Sequence, residues 1–210
     1  MITGKIFEHF KEKWYKRFFD KKIEEWRKIL KSAENQISSG VSLENLPPEQ
    51  KIHLLLQLWV GRGGESDKRE LIETLIQNPR VKQEIEEFTQ RVIRHFYWPR
   101  EKIILYRGFY HKGNLSEINL NPWDSLTANQ EFAKSAISPL PGIQIGTVLE
   151  IEIPIENIFV CYLSHPAFFI RRPEKEFILN ERGYKGARLI SINGREPSQE
   201  ELKIWEEKIS

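Results

Sequence analysis

Two glutamates separated by one residue, Glu174 and Glu176, stand between the aromatic pair Phe168-Phe169 and the apolar run Phe177-Ile178-Leu179. In a strand, carboxylates at i and i+2 project from the same face, because side chains alternate with period two. Two like charges then share one site, which costs free energy unless the acids steady a developing cation or hold a proton. Taken alone, such a pair reads as a solvated strand edge. Two upstream patches change that reading. In Leu105-Tyr106-Arg107-Gly108 a permanent cation of fork geometry closes a short apolar run, and a glycine without Cβ follows it. In Asp124-Ser125-Leu126-Thr127-Ala128-Asn129-Gln130-Glu131-Phe132-Ala133, alternating hydroxyls run straight into a helical pattern.

These residues need elements to hold them, and the chain changes period near Pro99. Before it, Phe7, Phe10, Trp14, Phe18, Ile23, Trp26 and Leu30 recur at helical spacing up to Ser38-Ser39-Gly40. A second helix is predicted from Pro48 with Ile52, Leu55, Leu56 and Trp59 inward, broken at Gly61-Arg62-Gly63-Gly64. That glycine cluster lacks the Lys-Ser/Thr ending of a phosphate loop and reads as a turn. Ser66 or Asp67 is expected to cap a third helix to Gln77, and Asn78-Pro79 opens a fourth that Pro99 stops. After Pro99, strands are predicted at 103–106, 147–154, 176–179 and 188–192, with helices at 129–136 and 199–208. Helices first and strands later, without βαβ alternation, favour an α+β fold.

The chain has 210 residues, 40% hydrophobic and 11% aromatic, enough for a core and incompatible with wholesale disorder. Its one cysteine, Cys161, lies in an apolar run and reads as a buried small hydrophobe. No leader pattern and no membrane-length apolar stretch is visible, so a soluble, cytoplasmic protein, of the producing cell or of a target cell, is expected without membrane contact. The net charge of +2 hides an asymmetry: residues 1–32 carry ten Lys/Arg and five acids. Solvated helix charges account for it, and the helical aromatics lie on the inward stripe, leaving none to stack on bases. Nucleic acid is therefore not the expected partner. His111 and His165 have no metal-ligand spacing and read as structural or solvated.

In order and spacing, strand-Arg, Ser-x-Thr and Glu-x-Glu over residues 103–192 resemble the Arg–Ser–Glu class of mono-ADP-ribosyltransferases, the cholera-toxin-like, arginine-specific branch. The resemblance implies a helical region over 1–99 and, over 100–210, a catalytic core with a split mixed or antiparallel sheet. It implies NAD as substrate, no metal, and transfer of ADP-ribose to a protein arginine with release of nicotinamide. Glu176 would steady the oxocarbenium-like cation left when nicotinamide departs. Glu174 would orient or deprotonate the acceptor. Arg107 would meet the pyrophosphate or brace the site, and Gly108, Ser125 and Thr127 would complete the NAD-binding set. Phe168, Phe169 and Arg171 would belong to the loop that recognises the acceptor, and the N-terminal helices would be a candidate surface for an inhibitor or host partner. Hydrolysis of NAD, transfer to a nucleic acid, or a silent binding module of the same fold remain the competing readings.

Overall fold

The computed structural model describes residues 3–62, 64–97, 99–111, 115, 118, 121–136, 145–168, 174–184 and 186–209, with side chains from residue 19 onward, 62 and 136 excepted. The chain forms two compact units, Met1–Phe88 with Leu163–Ile170, and Thr89–Tyr162 with Arg171–Ser210. The boundary therefore falls inside a helix rather than at Pro99. Residues 163–168, expected in the catalytic core, belong to the helical unit.

In the helical unit, α1 (Thr3–Ser38) buries Phe19, Ile23, Trp26, Leu30 and Ala33, a three- to four-residue spacing that makes one apolar stripe. It stops at Gly40, whose φ of +92° is open to a residue without Cβ, while the Val41 amide returns to the Gln36 carbonyl at 3.0 Å. Helix α2 (Pro48–Arg62) buries Ile52, Leu55, Leu56 and Trp59 and is tied to α1 by Gln36–Gln50 and Gln57–Glu34 hydrogen bonds, both 2.8 Å. Helix α3 (Glu65–Gln77) starts from Gly64 without a side-chain cap, so neither Ser66 nor Asp67 performs the capping expected of it. Helix α4 (Pro79–Tyr97) begins at a proline whose missing N–H is no loss in a first turn.

The second unit is built on one six-stranded sheet of order β4-β5-β2-β1-β3-β6, antiparallel throughout. Its strands are β1 (Lys102–His111), β2 (Ser125–Thr127), β3 (Ile145–Pro154), β4 (Ile158–Cys161), β5 (Glu176–Leu179) and β6 (Arg188–Ile192). Helix α5 (Gln130–Ala136) follows β2, and α6 (Gln199–Ile209) follows β6. The protein is thus α+β. Strand β1 is longer than its apolar run foretells, because the half-buried stretch Tyr106–Phe109 still pairs with β3. Strand β4, read only as an apolar run, is buried at every position, Cys161 included.

Pairing around β1 is uneven. It faces β3 from Lys102 opposite Pro154 to His111 opposite Ile145, but meets β2 only at Tyr106 opposite Thr127. The sheet is therefore one connected sheet that nearly parts between β1 and β2. No helix among the described residues is long and apolar enough to cross a membrane.

Candidate active site

The near-parting of β1 from β2 opens a cleft of about 280 Å³, lined among others by Arg107, Gly108, Ser125, Thr127, Glu174 and Glu176. Its volume falls just below the roughly 300–1,000 Å³ of small-molecule sites. The site residues expected from three separate patches of sequence therefore meet in one place. The meeting is dictated by strand register. Strand β2 opposes β5 with Ser125 across from Ile178 and Thr127 across from Glu176, which makes Ser125 and Glu176 diagonal neighbours on one face. The Ser125 hydroxyl donates to Glu176 Oε1, fixing the carboxylate's position. Leu126 and Phe177, on the opposite face, are buried and anchor the two strands.

Arg107 spans the gap. Its Nη1 donates to the Ser125 carbonyl, and its Nη2 lies 3.3 Å from Asp124 Oδ1, while its guanidinium carbon stands 5.0 Å from the Phe109 ring centre. Asp124 is 2% exposed and accepts further hydrogen bonds from the Asn121 amide, 3.2 Å, and the Tyr184 hydroxyl, 3.4 Å. Burial, with Asp124 adding to it, pushes the Tyr184 phenol above its ordinary range, against a weaker pull from Arg107, so Tyr184 remains a donor. Two arms of the arginine fork thus bridge β1 to the start of β2. Arg107 sits in the middle of a ten-residue strand, not at a strand end as expected.

Glu174 is not on a strand. It lies in a turn one residue before an exposed Lys175 with φ +46°, and β5 begins only at Glu176. The shared orientation of the two glutamates therefore comes from a left-handed kink rather than from strand alternation. The kink is clamped. The Thr127 hydroxyl donates to the Glu174 carbonyl and accepts from the Asn129 amide at 2.9 Å, and the Ala128 amide donates to the Lys175 carbonyl at 3.1 Å. Thr127, expected to bind NAD, thus has its hydroxyl engaged on both counts by the protein itself. Phe132, read first as a core residue, is half-buried and lines the cleft.

Phe168 does not serve as an exposed recognition residue: it is fully buried in the helical unit, edge-on to His165 at 6.4 Å. Phe169 and Arg171 lie outside the described residues. Asp124, Tyr106, Tyr110 and Tyr184 are additions that sequence reasoning missed. Asp124 carried a faint signal, an acid directly before the alternating hydroxyls, whereas Tyr184 carried none. His111 proves structural, buried and 2.8 Å from Thr147 Oγ1. Among the described residues no group of three His, Cys, Asp or Glu is placed to hold a metal ion.

A larger hollow of about 630 Å³ lies elsewhere on the sheet, lined among others by Lys102, Glu150, Glu152, Arg182 and Arg188. There Arg188 pairs with Glu150 at 2.6 Å and Lys102 with Glu152 at 3.1 Å, both on an exposed surface. Such pairs contribute about 0–1 kcal/mol and hold no group set apart for reaction. The smaller cleft is the one that gathers Arg107, Ser125, Glu174 and Glu176. Comparison with family models, curated proteins and solved structures finds no match to this chain.

Proposed function

We propose that the chain transfers ADP-ribose from NAD to a protein arginine, releasing nicotinamide. The observation that carries this reading is the Ser125–Glu176 hydrogen bond in a cleft that also receives Glu174 and is bridged by Arg107. A carboxylate held by a neighbouring hydroxyl meets a developing positive charge without reorganising, which is the source of electrostatic catalysis. When the glycosidic C–N bond of NAD breaks, the bonding pair leaves with nicotinamide and the ribose carbon becomes oxocarbenium-like. Glu176 faces that charge. The acceptor nitrogen then forms the new bond, and its proton passes to Glu174 and on to solvent. Arg107, with two arms on Ser125 and Asp124, serves chiefly as a brace in this scheme.

The test is nicotinamide release from labelled NAD, together with transfer of label to protein in a cell lysate. Glu176→Gln keeps the shape and removes the charge, and it should lower release about 10²–10³-fold with unchanged far-UV circular dichroism. Turnover close to that of the parent protein would overturn the reading. Label on nucleic acid, or free ADP-ribose alone, would replace the protein acceptor by one of its rivals.

A further inference from the structure

The helical unit contains a pair of fully buried imidazoles outside the cleft. His53 of α2 and His165 are both 0% exposed, with His53 Nδ1 2.7 Å from His165 Nε2 and ring centres 5.0 Å apart. Trp26 of α1 covers both rings, at 5.4 and 5.1 Å. The tautomers follow from the hydrogen bonds. The Ala167 amide donates to His165 Nδ1 at 3.1 Å, so His165 carries its proton on Nε2. That proton points at His53 Nδ1, which must accept it, so His53 carries its own proton on Nε2. Both nitrogens able to take up a further proton are therefore already occupied as acceptors. Protonating His165 sets its Nδ1–H against the Ala167 N–H. Protonating His53 sets its Nδ1–H against the His165 Nε2–H. Either event replaces a hydrogen bond by two opposed donors in a dry interior.

Among the described residues no carboxylate pairs with either ring as a counter-ion would. The charged group facing the pair is Lys22 of α1, whose ammonium stands 5.6 Å from the Trp26 ring centre and is engaged by Glu25 at 3.1 Å and by Glu84 of α4. From α2 and from residues 163–168, no carboxylate among the described residues hydrogen-bonds either ring. Burial, reinforced by Lys22, holds His53 at about 3, and burial with His53 alongside holds His165 well below its ordinary value.

The geometry points to an acid-opened latch: the His53–His165 pair fastens residues 163–168 to the helical unit while both rings are neutral and lets them go when either ring is protonated. The sign follows from linkage. Both histidines titrate lower when buried than when open, so the open form binds more protons and the closed form loses ground as pH falls below the ordinary histidine value, about 6.5. With two such groups, the opening equilibrium rises about 100-fold per pH unit, ten-fold for each ring. The fastened stretch is the one that leads along the chain towards Glu174.

Hydrogen exchange between pH 7.5 and 5, corrected for the intrinsic pH dependence of amide exchange, tests the latch on the intact chain. Protection of the Ala167 and Phe168 amides should fall about 100-fold per pH unit below about 6.5, and only about ten-fold per unit in His53→Gln, while Leu71 and Leu75 of α3 keep theirs. Protection that is flat with pH, the same slope in the variant, or loss in step with Leu71 and Leu75 would each overturn it. An independent measurement needs no variant: ¹⁵N NMR of the imidazoles at pH 7.5 should show both rings protonated on Nε2, and a proton on either Nδ1 would refute the arrangement.

Discussion

Strand β1 has two flanks, and they are held by different physics. Towards β3 the backbone ladder is continuous and the facing residues Leu149, Ile151 and Ile153 are wholly buried. Towards β2 the backbone meets at one position, and the remaining span is bridged by the Arg107 guanidinium, which reaches the Ser125 carbonyl and the Asp124 carboxylate. Apolar packing supplies a rigid platform on one side. That leaves the other side able to stand open with polar groups facing inward, a geometry a fully zipped sheet would forbid.

Four substitutions probe this contrast, and the largest effect belongs to the closed flank. Ile151→Ala removes a fully buried side chain opposite Leu105, and urea unfolding should register a loss of about 2–5 kcal/mol. On the open flank, Arg107→Lys keeps the charge but lacks the second arm, so either the Ser125 carbonyl or buried Asp124 loses its contact with residue 107. The expected loss there is about 1–3 kcal/mol, and an unchanged unfolding midpoint would mean the fork does not close the gap. Thr127→Val deletes the hydroxyl that holds the Glu174 carbonyl and the Asn129 amide, and should cost about 1–2 kcal/mol in the same assay. The smallest effect has the opposite sign. Lys175→Gly relieves a left-handed residue at φ +46° and should raise stability by up to about 1 kcal/mol; a loss larger than that would show the lysine side chain to be a structural contact.

The contrast also explains what the sequence made legible. Periodicity located the first, second and fourth helices, since Trp26, Leu55 and Ile85 lie on stripes repeated often enough to be seen, whereas the third was placed from its flanking residues. It located β3, whose alternation from Thr147 to Pro154 is written in residue types. Strand β2 is three residues long and carries no period of its own; the hydroxyl alternation drew attention to Ser125 and Thr127, and only the resemblance gave them a role. The Glu174–Glu176 pair was singled out for a geometric reason that does not hold, since the kink at Lys175 stands where a strand residue was expected. Asp124 could not be weighed from the sequence because its importance lies in burial beside Arg107, a tertiary fact. His53 was read only as part of a helix, since its partner is 112 positions away.

Strand β5 lies between β4 and β2 in the sheet, although it is made after both. On a ribosome, the chain through Cys161 contains Arg107, Ser125 and Thr127 but neither glutamate, and β2 and β4 wait with no strand between them. The carboxylates arrive with the segment that fills this vacancy, so the last strand to wedge into that half of the sheet also delivers the two glutamates of the cleft. In the reading proposed above, a nascent or prematurely ended chain would lack both glutamates, and competence to act on NAD would come only with the closing of the sheet.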